Sequence, residues 1–196
     1  MPTLDWHRPG EFEPQPEDAR AVESLSEIKC GFQLNPRGFV FGVRGGHRLS
    51  DAHVDDLLTL PFLMSLVLFR FSHHESLFSD GGFKRLCQHP RFRAYMDQNN
   101  PRITDDVTRH LVAFPHVRWV IVPFCNLTDA AIPRLAETNH LFSLSLIGNQ
   151  ISDESVPHMR RMTELRRLFL RDTEVTEAGF DQLKGSLLKC HTLKWG

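Results

Sequence analysis

Six pairs of a hydroxyl residue followed by an acid punctuate the chain: Ser50-Asp51, Ser79-Asp80, Thr104-Asp105, Thr128-Asp129, Ser152-Asp153 and Thr176-Glu177. The last three intervals are 24 residues each, the one before is 25, and the first is 29. A period of this length constrains a chain more than any local motif. One unit is too short to bury its own apolar face, so units must stack on one another and share a core.

The columns of the alignment describe the unit. With the Ser or Thr as position one, position five holds Val54, Phe83, Ile132, Val156 and Phe180, with Thr108 breaking the column beside Val107. Position eight holds Leu57, Leu86, Leu111, Leu135, Met159 and Leu183. Three-residue spacing marks one face of a short helix. Positions seventeen and nineteen are Leu66 and Leu68, Val120 and Val122, Leu144 and Leu146, Leu168 and Leu170. That alternation is one face of a strand. Each unit reads as a short helix, a turn, a strand and a turn. Pro133 and Pro157 at position six disfavour helix in the residue before them, so those two helices are expected to start late, near Ala131 and Ser155.

The segment Leu141-Phe142-Ser143-Leu144-Ser145-Leu146-Ile147-Gly148-Asn149-Gln150-Ile151 matches the pattern L-x-x-L-x-L-x-x-N-x-I at every defined position. On these residues the chain resembles the leucine-rich-repeat family. The Ser/Thr-Asp lead resembles the short repeats of bacterial leucine-rich-repeat proteins and of F-box proteins. The resemblance implies an α/β solenoid with a parallel concave sheet and short convex helices. It also implies that Asn100 and Asn149 at position twenty-two bond backbone groups in the turn after the strand, with Cys125 and Thr173 as weaker replacements. Phe71 departs from that pattern.

Three segments follow. Residues 1–15 read as a flexible N-terminal arm. Residues 16–49 read as a helix-strand cap, with Pro16-Glu17-Asp18 starting a helix, Asn35-Pro36-Arg37-Gly38 as a turn and Phe39 to Val43 as a strand. Residues 50–196 read as the repeat array, with an enlarged loop near 71–78. About seven strands are expected, the last an edge guarded by Lys189 and Lys194.

Strand alternation assigns the residues that face away from the core. Position sixteen gives Ser65, Trp119, Ser143 and Arg167; position eighteen gives Val67, Ile121, Ser145 and Phe169; position twenty gives Phe69, Pro123, Ile147 and Arg171. Trp, Phe and Arg on an open surface have the makeup of a protein-binding hot spot. The candidate partner-binding residues are therefore Val67, Phe69, Trp119, Ile121, Ile147, Arg167, Phe169 and Arg171. The bland alternative is that such residues merely suit strands.

Other chemistry finds little support. The Asp ladder at position two could be a calcium site, but helix capping is the simpler reading. His73-His74-Glu75 could bind a metal with a third ligand from a neighbour, but two adjacent histidines seldom point to one ion, so no metal site or cofactor is expected. His116 and His140 share position thirteen, which raises the question of an acid-sensitive pair. There is no phosphate loop, no Gly-x-Ser-x-Gly elbow and no Cys-x-x-Cys, so no enzyme is expected. A net charge of -1 gives no reason to expect nucleic acid or membrane as partner. The start lacks a secretory pattern and the four cysteines lack paired spacing, which favours a cytoplasmic location. The expected function is a protein-interaction module presenting a rigid concave sheet to a protein or peptide. The alternatives are a structural subunit contacting through its C-terminal edge strand and, behind it, a metal-dependent enzyme.

Overall fold

The computed structural model describes residues 7–8, 10–45, 48–68, 77–114, 116–138 and 140–194. The expected loop around His73 and His74, and the candidate Phe69, lie outside the described residues.

The described residues form an eight-stranded sheet in strict sequence order, backed by one helix per unit. The cap comprises helix α1 (Ala19–Glu27), strand β1 (Gly31–Leu34) and strand β2 (Val40–Arg44). The array follows as α2 (Val54–Thr59), β3 (Ser65–Leu68), α3 (Asp80–Leu86), β4 (Ala94–Asp97), α4 (Asp106–Ala113), β5 (Trp119–Ile121), α5 (Ile132–Glu137), β6 (Ser143–Ser145), α6 (Val156–Met159), β7 (Arg167–Phe169), α7 (Glu177–Ser186) and β8 (Thr192–Lys194). β1 pairs with β2 antiparallel; every later pairing is parallel. The solenoid expected from the repeat is the observed fold.

Register confirms the columns. Val43, Leu66, Tyr95, Val120, Leu144, Leu168 and Leu193 lie side by side across seven strands. All but Leu193 are buried, and Leu193 packs partly buried against the same core. Helix residues such as Leu57, Leu86, Leu111, Leu135, Met159 and Leu183 close this core from the convex side. One apolar cluster runs from Ala21 to Leu187. Burying each such Leu contributes about 1.5–3 kcal/mol, which a single unit could not achieve alone.

The structure departs from the expectation in several places. β1 was not foreseen: the cap is a helix plus a hairpin. Its Asp18 does more than start α1, because its Oδ2 accepts a 2.7 Å bond from the Val40 amide and so ties the helix to β2. Burial pushes that carboxyl above the ordinary aspartate value. The expected arm is held from His7 onward: His7 exchanges two backbone bonds with Phe32, at 2.8 and 2.9 Å, and the Phe12 ring lies 5.7 Å from that of Phe32. Among the helices, α5 and α6 begin at Ile132 and Val156, each after a 3-10 turn, one residue later than expected. Thr108 fits its column by turning its hydroxyl onto the Asp105 carbonyl at 2.7 Å.

β4 carries the largest surprise. Two leucine columns there hold Tyr95 and Asp97, both fully buried. The Tyr95 hydroxyl donates to Asp97 Oδ2 at 2.9 Å, and Asn100 Nδ2 donates to the same oxygen at 2.6 Å. Hydrogen bonding is what makes this polar burial tolerable.

Candidate functional site

The turn after each strand is built the same way. Position twenty-one takes the left-handed conformation in four successive units: Asn99, Phe124, Gly148 and Asp172 have φ of 55, 54, 65 and 55°. Position twenty-two then points inward. Asn149 Nδ2 donates to the Val122 and Leu146 carbonyls at 2.8 and 3.1 Å, and its Oδ1 accepts from the Leu127 amide at 3.1 Å. Asn100 similarly holds the Phe78 carbonyl at 2.8 Å. Cys125 makes long sulfur contacts of 3.7 Å to the Asp97 and Pro123 carbonyls, and the Thr173 hydroxyl donates to the Leu170 carbonyl of its own unit at 2.6 Å. These turns fix where each strand's outward residues stand.

The aspartates at position two are not the caps they were expected to be. Each reaches the following unit. Asp105 accepts from the Thr128 amide and hydroxyl at 2.7 and 2.6 Å, Asp129 from those of Ser152 at 2.9 and 2.6 Å, and Asp153 from those of Thr176 at 2.8 and 2.6 Å. Asp51 and Asp80 do the same to Ser79 and Thr104. Capping falls to the hydroxyl residue, which also accepts from an amide of its own helix, as Thr176 does from Gly179 at 3.2 Å. In two units position four has no room for a side chain. A Cβ on Gly82 would lie 2.1 Å from Asp51 Oδ1, and one on Gly179 2.2 Å from Asp153 Oδ1. With their oxygens committed this way, the aspartates form a staple between units. No group of three or more metal-ligating side chains occurs among the described residues.

The outward face of the sheet is the candidate site. Trp119, Ser143 and Arg167 stand side by side in one row, and Ile121, Ser145 and Phe169 in the next. Trp119, Ile121, Arg167 and Phe169 are partly exposed, whereas Ser143 and Ser145 are 2% and 3% exposed. Two small residues thus sit low between taller neighbours. The Trp119 ring leans towards β6, 5.8 Å from the ring of Phe142. Ile147 is partly exposed further along.

One candidate, Val67, needs correction. Val67 is only 6% exposed: a short branched chain between the longer Arg44 and Met96 in its row lies below the reach of a partner. Arg171 is exposed but already faces Asp172 at 3.6 Å, so part of its charge is compensated. Residues missed from the sequence sit one position earlier, at position fifteen. A backbone ladder places Met64, Arg93, Arg118, Phe142 and Arg166 side by side, with His191, one position later in its unit, at the end: each residue's carbonyl accepts from the next one's amide at 2.8–3.1 Å. The repeat period alone would have found that column.

Thiol chemistry is disfavoured. Burial pushes the Cys125 thiol up to about 12 and the Cys87 thiol higher still. The thiolate is the reactive form, so neither is a nucleophile at neutral pH.

A parallel sheet of stacked short units, each turned by an inward asparagine or its substitute, is the fold of a leucine-rich-repeat protein. Among solved structures the chain is similar to the Arabidopsis receptor kinase HAESA, solved in complex with the peptide hormone IDA and a co-receptor. The identity is 18% and the TM-score 0.59, over 93% of this chain and 34% of that one. An internalin from Listeria monocytogenes is also similar, with 19% identity and a TM-score of 0.44, over 70% of this chain and 49% of that one. The chain thus spans about half the length of the internalin and a third of the receptor. No family model and no curated protein matches the sequence. No helix among the described residues is long and apolar enough to cross a membrane.

Proposed function

We propose that the chain is a protein-interaction module whose concave face binds a protein or peptide. One observation carries this reading: Trp119, Ile121 and Phe169 stand partly exposed on one face of three adjacent strands, around serines sunk between them, with Ile147 partly exposed just beyond β6. Water-exposed aromatic and branched side chains gathered in one place favour burial by a partner. The receptor of similar fold is a peptide-bound protein, which supports the reading. The free thiols Cys87, Cys125 and Cys190 suit a reducing compartment such as the cytoplasm.

A second reading has one observation in its favour. β8 is an edge of the sheet, and Leu188 just before it is 86% exposed. Contact there would make the chain a structural part of a larger assembly.

Amide hydrogen exchange with an affinity-purified partner separates the two. The concave-face reading expects protection within 119–121, 143–147 and 167–169. It also expects Trp119→Ala with Phe169→Ala to weaken binding at least tenfold in a chain that still melts cooperatively. Protection confined to 188–194, with binding unchanged in the double variant, establishes the edge reading instead.

A further inference from the structure

Charge is distributed unevenly over the molecule. The chain holds 24 acids against 23 lysines and arginines. Yet the outward strand positions from β2 to β7 contain no acid: neither the row running from Gly42 through Trp119 to Arg167, nor the row running from Arg44 through Ile121 to Phe169. The backbone ladder from Met64 to His191 has none either. The acids cluster elsewhere, in the staples and on the helices. Neighbouring Glu164 is engaged in an ion pair with Lys189.

Register turns this into a small grid over β5, β6 and β7. Its leading edge reads Arg118, Phe142, Arg166; its second row Trp119, Ser143, Arg167; its third Ile121, Ser145, Phe169. Strands lie about 4.8 Å apart, so Arg118 and Arg166 are separated by roughly 10 Å with an aromatic ring between. Arg118 is exposed and spends one bond on the His140 carbonyl at 3.1 Å. Neither it nor Arg167 makes an ion pair among the described residues. Guanidinium groups present planar forks that match carboxylates. The other end of the grid is aliphatic and aromatic.

Resting on the concave-face reading, we propose that this grid receives an extended acidic peptide segment of a partner protein. A carboxylate side chain is held by Arg118 and Arg167, and an apolar side chain lies across Ile121 and Phe169. A face whose only charges are cations, with no acid of its own, repels basic segments and draws acidic ones. Nucleic acid fits less well, because its affinity needs a long track of phosphate contacts. Here the cations occupy one edge and the rest of the grid is apolar.

The test is selection from a random twelve-residue peptide library displayed on phage, using the whole chain as bait. Selected peptides are then measured by fluorescence anisotropy at low and high salt. The expected result is at least threefold enrichment of Asp and Glu together with apolar residues. Affinity should fall at least tenfold in Arg118→Glu/Arg167→Glu and about threefold to tenfold in the milder Arg118→Gln/Arg167→Gln. Thermal melts show that each variant is folded. Selected peptides without acidic enrichment, or binding unmoved by both charge variants, overturn the proposal. So does tighter binding of a twelve-residue oligothymidine than of any selected peptide. If selected peptides are neutral yet lose binding in Trp119→Ala/Phe169→Ala, the acidic preference falls while the concave-face reading stands. If that aromatic variant also binds unchanged, both fall.

Discussion

Asp129 and Asp80 occupy equivalent places, yet their surroundings drive them in opposite directions. Burial pushes the Asp129 carboxyl up, but bonds from the Ser152 hydroxyl, the Ser155 hydroxyl and the Ser152 amide outweigh it and hold the value below 3.8. Burial dominates at Asp80 and leaves it raised despite Thr104. A lowered carboxyl contributes stability that is present above its unfolded value and lost as pH falls through its folded one; a raised carboxyl gains stability on the same descent. Asp129→Ala is expected to cost about 2–3 kcal/mol at neutral pH, from the loss of charge-assisted bonds, and Asp80→Asn distinctly less. Urea unfolding at pH 7 checks the pair, and equal losses would refute the assignment.

The histidines behave consistently. Burial lowers His89 and His140, and nearby Arg91, Arg93, Arg118 and His116 add to the effect. A group with its folded value below the unfolded one binds fewer protons when folded. Stability is therefore lost as pH falls below the ordinary histidine value of about 6.5. The melting temperature should drop between pH 7 and 5, and should drop less in His89→Gln/His140→Gln. The turn is not simply a solvated one, since His116 Nε2 lies 3.0 Å from the Cys87 carbonyl.

Elements are assembled by rules that single positions can break. Gly82 and Gly185 are both helical glycines, and a helical Gly→Ala change ordinarily stabilises by about 0.5–1 kcal/mol. Gly185 has nothing within 4 Å of an added Cβ, so Gly185→Ala should gain that amount. At Gly82 the added carbon strikes the carboxylate of Asp51, so Gly82→Ala should lose about 1–2 kcal/mol as that staple opens. Thermal melts of the two variants should move in opposite directions. Units whose columns hold Leu and Val could be read from the sequence directly. β4 could not, because Tyr95 and Asp97 sit where leucines define the pattern. β1 was hidden because four residues are too few to show a period.

Across the whole molecule, stability comes from contact between neighbours. Leu168 has a strand on each side, while Leu193 sits on the sheet edge. Leu168→Ala should cost about 3–4 kcal/mol and Leu193→Ala about half as much, measured by chemical denaturation. The overall architecture was legible because repetition multiplied a weak local signal. The site was legible only in part. Trp119, Ile121 and Phe169 follow from alternation, but the buried Val67 depended on the height of its neighbours. Arg118 and Phe142 fell outside the positions that alternation singles out. The missing acids are an absence spread over rows that only register draws together.

The polar trio of Tyr95, Asp97 and Asn100 has a mechanical meaning. Oil on either side of it is continuous and indifferent to which layer it touches, but these three groups accept no substitute for one another. They act as a keyed joint inside one layer, and Asn100 carries the key to the layer before it through the Phe78 carbonyl. The strand that pairs with the Trp119 strand therefore rests on a buried polar lock rather than on oil alone.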